Sequence, residues 1–463
     1  MTQLADTLKT LLDSDSVFGG EDVRKQFSYD AWPVAVKWRN QGKVPYQPDV
    51  VVRPRRAEQV VKLLRWAGEN QVAITPWGAG SSVTGAPLPL DGGITLDLSL
   101  MDRTLEINEQ NLTVTVQAGK MGHMLEAELN RRGYTLNHSP QSLDRSTAGG
   151  WLSTRATGQF SSKWGGIEQL IVGFDVVLPD GSLVQFQTGP RMAVGPDVRH
   201  VFVGAEGTMG VITQVTLQIF HQSAHHIFQT LVFDNLTDGI AVMREITQRG
   251  LRPFLLRFYN QAESRHAIKD HTFTQCAMFL GFEGESPIAE AEYSVAQSIW
   301  KRYGAQELGA TAVEKWMNRR FDFSTIENLL AKPGGLAETI EVAHFWDGIE
   351  ETQERLAAAL APYADEVLAH FSHAYPQGTS LYIILLGQCA DDAQAEAHLL
   401  KVWQTAMSIC LETGAAISHH HGVGIARKDY VRDALGSSMT VLERVKHAID
   451  PQNILSPGKL GLR

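Results

Sequence analysis

The chain has 463 residues, about three times a typical domain of roughly 150 residues, so a single small domain is excluded. A hydrophobic fraction of 43% and a charged fraction of 20% are those of a folded globular protein rather than a disordered one. Lys plus Arg number 41 and Asp plus Glu 51, a net charge of -10 that argues against nucleic acid, because phosphate backbones are gripped by basic surfaces. A small anionic ligand stays compatible, since one local arginine can recognise it. The three cysteines, Cys276, Cys389 and Cys410, are far apart and form no CxxC pair, which fits a reducing compartment. The N-terminus lacks the basic start and apolar stretch of a signal peptide, and no segment approaches the ~18 apolar residues of a membrane span. A cytoplasmic protein is expected.

In chain order, Val50 to Arg53 reads as a strand, Ala57 to Asn70 as an amphipathic helix and Ala73 to Thr75 as a second strand, a βαβ start. Strands are predicted at Ile94 to Asp97 and Leu112 to Gln117, then a helix from Met121 to Arg132 closed by Gly133. Ile171 to Leu178 and Leu183 to Phe186 flank Pro179-Asp180-Gly181 and read as a hairpin, with Val211 to Ile219 as the last strand of this half. From about residue 220 to 415 loop glycines thin out. Alanine-rich helices are predicted at Ala289 to Tyr303 and Ala393 to Thr413, with strands at Phe228 to Phe233, Cys276 to Phe282 and Leu381 to Gly387, an α+β pattern.

The loop Pro76-Trp77-Gly78-Ala79-Gly80-Ser81-Ser82 follows a strand, and its small residues let backbone N–H groups approach a phosphate closely. It is neither a P-loop nor a G-x-G-x-x-G dinucleotide loop, and by itself an ordinary glycine-rich turn explains it equally well. Further loops of the same character follow. His138-Ser139-Pro140-Gln141-Ser142 leads into Ser146-Thr147-Ala148-Gly149-Gly150-Trp151 and Ser153-Thr154-Arg155-Ala156, and later comes Glu206-Gly207-Thr208-Met209-Gly210-Val211-Ile212.

Taken together, these motifs resemble the vanillyl-alcohol oxidase and p-cresol methylhydroxylase family of FAD proteins, over about residues 48–459. Within it they are most similar to the branch of alkyldihydroxyacetonephosphate synthase and its bacterial relatives. The resemblance implies an α+β fold: a two-subdomain FAD-binding domain over 1–218, a substrate-binding α+β cap over 219–414, and a segment 415–463 that returns to the FAD. It also implies that Pro76 to Ser82 cradle the pyrophosphate. Pro140, Gln141, Ser142, Ser146, Thr147, Gly149, Gly150 and Ser153 to Ala156 would line the flavin and ribityl chain, and Glu206, Gly207, Gly210, Val211 and Ile212 the adenosine end. Some relatives bond the flavin covalently to a histidine in the first loop. Gly80 stands there in this chain, so non-covalent FAD is expected.

Ser418-His419-His420-His421-Gly422 is the most unusual stretch. Three adjacent histidines cannot all point one way on a regular element, so a metal site built from this run alone is poor, whereas imidazoles titrate near neutrality and suit proton transfer. Tyr382 lies in a strand and reads equally as packing, but it matches the acid/base tyrosine of the synthase branch. Arg257, a lone charge in an apolar strand, meets either a structural carboxylate or a substrate anion. The resemblance favours the anion. Glu341, in Glu338-Thr339-Ile340-Glu341, is a supporting candidate only, because a solvated helix start also explains these carboxylates.

Related D-2-hydroxyacid dehydrogenases hold a divalent metal with four ligands. The corresponding positions here are Tyr375, Tyr382, His420 and His421, of which only His421 is kept, so no catalytic metal is expected. The expected function is FAD-dependent oxidation of a CH–OH group in a small hydroxy acid or phosphate. Alkyl transfer of the synthase type is the alternative, disfavoured by Glu327, an acidic residue close to where that branch carries an arginine. The electron acceptor is not encoded in any motif, and a homo-oligomer is compatible with the sequence.

Overall fold

The structure, a computed structural model, describes residues 3–186 and 189–462. The βαβ start is present: Val50–Val52, Ile94–Asp97 and Ile74–Trp77 are parallel neighbours in a four-stranded sheet completed by Val17–Phe18. The helix Ala57–Asn70 forms because Val60, Leu63, Leu64 and Ala67 share one face, and all four are fully buried. A second, antiparallel sheet runs Thr104–Asn108, Thr113–Gln117, Val211–Gln218, Ile171–Val177, Leu183–Phe186. Its Asp-Gly hairpin closes as the sequence indicates, with Gly181 at φ 81° and the Leu178 N–H donating to Ser182 O at 2.9 Å.

Residues 225–388 build a seven-stranded antiparallel sheet in the order Gln306–Gly309, His225–Phe233, Cys276–Gly284, Leu255–Tyr259, Glu366–Ser372, Gly378–Gln388, Gly335–Phe345. Long helices, among them Ser286–Arg302 and Asp392–Thr413, pack on it. The strand Gly378–Gln388 shows the two faces. Leu381, Ile383 and Leu385 are fully buried, while Tyr382, Ile384 and Leu386 point the other way and are half-buried.

Register places chemistry on that second face. Tyr259 lies opposite His370, His370 opposite Tyr382, and Tyr382 opposite Glu341, so one row of side chains crosses four strands. Glu338 and Glu341 therefore sit inside a strand, not at a solvated helix start. They project to opposite faces, and Glu338 accepts a hydrogen bond from Trp403 Nε1 at 2.8 Å in the helix Asp392–Thr413.

The last residues run back along the first half. Ile425 and Ala426 N–H groups donate to Thr84 O, Lys459 Nζ donates to Gly85 O at 2.7 Å, and Leu455 forms a parallel bridge with Ile74 at the edge of the first sheet. The buried Lys446 fixes this path by donating to Thr208 O, Leu455 O and Asp450. From the other end of the chain, fully buried Lys37 reaches Leu330 O and Asp392. No described helix is long and apolar enough to cross a membrane.

Candidate active site

The centre of the site is the Glu341 carboxylate, which is fully buried. Residues 418–422 wrap around it in an irregular turn, and the backbone N–H groups of His419, His420 and His421 all donate to it, at 2.8, 2.8 and 3.2 Å. Ser418 Oγ adds a fourth donor at 3.3 Å. Behind it lies Arg427, also fully buried, with Nη2 donating to Glu341 O at 2.9 Å and standing 3.5 Å from Oε2. Desolvation pushes the carboxyl up, but the imidazoles of His420 and His421, and after them Arg427, outweigh it, so the carboxyl is held well below its usual range.

Because the turn is not a regular element, the three histidines can converge. His420 Nδ1 lies 3.1 Å from Glu341 Oε1, with the Nδ1 atoms of His419 and His421 at 3.8 and 4.0 Å from the same carboxylate. Ligand atoms of Glu341, His419 and His420 fall within 4.8 Å of one another, a spacing that would admit a cation, yet the Glu341 oxygens already accept backbone hydrogen bonds.

Both tyrosines at this face bond to the turn. Tyr382 Oη is 2.7 Å from His420 Nε2, and Tyr375 Oη is 2.8 Å from His419 Nε2. Burial pushes the Tyr382 hydroxyl well above its ordinary pKa, and the Glu341 charge adds to this, so it rests protonated. The Tyr382 ring stacks on His370 with centroids 4.4 Å apart. Arg257 Nη2 bonds to His370 Nε2 at 2.8 Å, while His370 Nδ1 is held by Glu263 at 2.8 Å. Arg257 Nε donates to Tyr259 Oη at 3.1 Å, and no described carboxylate lies within ion-pair distance of the guanidinium. Glu327, read as a charge facing the substrate, is instead exposed on the helix Ser324–Ala331 and paired with Arg145 at 2.5 Å.

The cofactor-loop residues come together. A Cβ on Gly78 would lie 2.6 Å from Thr147 Oγ1, and one on Gly207 would lie 2.9 Å from Pro76 Cγ. The Glu206 N–H donates to Ser153 O at 2.8 Å. Thr147 caps the helix Ala148–Thr154, which contains Gly149 and Gly150, and Arg155 ends it in left-handed backbone. Ser146 Oγ accepts from Trp151 Nε1 at 2.8 Å, Pro140 to Ser142 form the preceding loop, and Ala156 follows the helix. Val211 and Ile212 are core residues of a strand, with Gly210 just ahead of it. The Glu206 carboxylate accepts from the Val423 and Gly424 N–H groups at 2.5 and 2.9 Å, tying the histidine segment to the first half.

These loops fit a pyrophosphate-bearing cofactor. Among the described residues no backbone N–H from Gly78 to Val83 has a protein acceptor, a row of free donors of the kind that binds phosphate. Gly80 has φ 69°, and a Cβ there would meet Trp77 at 2.4 Å, so the position cannot carry a histidine without rearrangement. Next to the second loop both ring nitrogens of buried His138 and Ser139 Oγ lack protein partners, and a bound ligand would satisfy them.

His138 opens that loop in the sequence, but the resemblance assigns flavin-lining residues only from Pro140 onward and so leaves it out. The sequence reading also missed Arg427, whose signal was a lone arginine after the apolar Val423-Gly424-Ile425-Ala426.

Burial and neighbouring positive charge push His138, His419 and His421 down to about 3, so all three are neutral in the fold. Their contribution to stability is whole above the unfolded value of ~6.5 and is lost as pH falls toward the folded value. The thermal midpoint is expected to fall as pH is lowered from about 6.5 to 4. It should fall less steeply in His421→Asn, and equal slopes for the two proteins would contradict this.

Comparison with known proteins agrees with the geometry. Residues 48–187 match the FAD binding domain family, and residues 223–460 match the C-terminal domain of FAD linked oxidases. The FAD-linked oxidoreductase YgcU of Escherichia coli K12 is 30% identical over 99% of this chain and 98% of its own length. Alkyldihydroxyacetonephosphate synthase of Caenorhabditis elegans is 30% identical over 91% of this chain and 77% of its own. A solved alkyldihydroxyacetonephosphate synthase shares the fold, with a TM-score of 0.84 at 24% identity, over 99% of this chain and 86% of that one. The α+β, two-part FAD fold and its cofactor follow, and the chain belongs to the FAD-linked oxidases, as an FAD-dependent oxidoreductase.

Proposed function

We propose that this oxidoreductase oxidises the CH–OH group of a small hydroxy acid or hydroxy phosphate, without a catalytic metal. The observation that carries this reading is the contact of Arg257 and Tyr382 with one imidazole. Arg257 Nη2 bonds His370 at 2.8 Å and Tyr382 stacks on it at 4.4 Å, which places an anion anchor and an acid/base hydroxyl one ring apart. A substrate whose hydroxyl and acidic group are neighbours matches that separation. When bound, FAD supplies the hydride acceptor.

In this reading the loops Pro76 to Ser82, Pro140 to Ala156 and Glu206 to Ile212 hold FAD within 1–218. The cap, 219–414, presents Arg257 and Tyr382, and 415–463 delivers the histidines. Arg257 binds the acidic group, its orientation fixed by His370 and Glu263. The protonated Tyr382 receives the substrate's hydroxyl proton as it passes its own to His420 Nε2, 2.7 Å away. The carboxylate of Glu341 beside His420 favours the positive charge that arrives there.

A second reading, flavin-mediated alkyl transfer, is favoured by the same tyrosine, histidines and arginine. Pairing of Glu327 with Arg145 also removes the repulsion that argued against it. Oxidation is preferred because the oxidoreductase relative is matched over 98% of its length and the synthase over 77%.

Anaerobic mixing with glycolate, D-lactate, sugar acids and glycerol 3-phosphate should bleach the visible flavin band with at least one of them. Arg257→Ala should raise the half-saturating concentration about ten- to hundredfold, the equivalent of ~1.5 to 3 kcal/mol. Failure of every alcohol, together with turnover of acyl-dihydroxyacetone phosphate, would overturn oxidation in favour of transfer. Denaturing the protein should release all FAD into solution, and flavin retained on the pellet would refute non-covalent binding.

A further inference from the structure

The two tyrosine–histidine pairs are joined. His419 Nδ1 and His420 Nδ1 are 2.8 Å apart, so Tyr382 Oη, His420, His419 and Tyr375 Oη form one unbroken hydrogen-bonded chain, with steps of 2.7, 2.8 and 2.8 Å. Each imidazole uses one nitrogen toward each neighbour. A neutral imidazole has one donor and one acceptor nitrogen, and a phenol both donates and accepts, so every member can take a proton on one side and give one up on the other. At one end Tyr382 stands beside the anchor Arg257. At the other, Tyr375 lines a cavity of about 520 Å³ whose wall includes the exposed residues Phe345, Gln377 and Asp433.

We infer that Tyr382, His420, His419 and Tyr375 form a proton wire that carries the substrate's hydroxyl proton from Tyr382 to water at Tyr375. The inference rests on the oxidation proposed above. As the substrate O–H bond breaks, its proton goes to Tyr382 Oη and the Tyr382 proton to His420 Nε2. The Nδ1 proton of His420 passes to His419 Nδ1, the Nε2 proton of His419 to Tyr375 Oη, and the Tyr375 proton to water. The carbon-bound hydrogen leaves as hydride to the bound flavin, so alcohol becomes carbonyl and one proton is released. Afterwards every hydrogen bond in the chain points the opposite way, the state from which the reverse transfer starts.

Charged groups flank this path, Arg257 and Glu263 acting on the Tyr382 end with opposite signs. Glu341 Oε1 lies 3.1 Å from His420 Nδ1 and offsets charge there, while Glu168 and Arg155 act on the Tyr375 hydroxyl with opposite signs. The two imidazoles are also flanked by His373, whose ring stacks on His419 at 5.2 Å and meets His420 edge-on at 4.8 Å. His373 is tied to Ser161 and lies outside the chain of bonds. In this scheme Tyr375 and His419 act through Tyr382 and are positioning residues.

The test uses FAD-loaded protein labelled with ¹⁵N-histidine, and exchange of the His419 and His420 ring N–H protons with D₂O. Tyr375→Phe keeps the ring and removes the exit hydroxyl. It should slow this exchange about tenfold or more at unchanged flavin content, with Tyr375→His restoring it. That readout needs no substrate, so it decides the wire even if every alcohol fails to reduce the flavin. With glycolate or D-lactate as reductant, Tyr375→Phe should lower the bleaching rate about tenfold or more at constant half-saturation and enlarge the D₂O effect. Exchange as fast in Tyr375→Phe as in the unaltered protein would overturn the proposal. So would bleaching at the unaltered rate.

Discussion

A single buried carboxylate organises this molecule. Glu341 has no water to solvate it, and an isolated charge in such a place would cost several kcal/mol. The chain meets that cost with three consecutive backbone N–H donors, a serine hydroxyl and the buried guanidinium of Arg427. Those N–H groups belong to the three histidines. The hydrogen bonds that hold the anion are therefore the same ones that shape the histidine turn.

The remaining order of the site follows from sheet register and from the route of the C-terminal segment. Pairing of Gly335–Phe345 with Gly378–Gln388 sets Glu341 opposite Tyr382, so the carboxylate that binds the turn and the tyrosine that bonds His420 are fixed by the same ladder. A slip of Gly335–Phe345 by one residue would turn Glu341 to the opposite face of the sheet, away from Tyr382. Glu206 performs the matching task from the other side by accepting the N–H groups of Val423 and Gly424, just beyond the histidines. The turn is thus clamped between two buried carboxylates, Glu341 and Glu206.

Where local pattern decides structure, the sequence was readable. The helix Ala57–Asn70 and the strands Ile94–Asp97 and Leu183–Phe186 lie where periodicity and turn residues put them. The glycine-rich loops stand out because small residues recur in a family order, and the structure packs them against each other. Glu341 was underrated because nothing within Glu338-Thr339-Ile340-Glu341 reveals that its partners lie about eighty residues away, and burial of an acid is decided by those partners. The histidine run was judged by the geometry of regular elements, whereas Gly422 and Gly424, both at positive φ, let the backbone curl around an anion. Arg427 and His138 share that limitation: a buried polar group has meaning only beside what it meets in space.

The most direct test of this account is the stability of Glu341→Gln, which keeps the shape of the side chain but removes the charge and turns an N–H₂ toward the donors of the histidine turn. Urea unfolding of the FAD-loaded protein should show a loss of about 3 to 5 kcal/mol, the range for breaking a buried, paired charge. A loss below about 1 kcal/mol, the scale of a surface ion pair, would contradict the claim that Glu341 holds the site together.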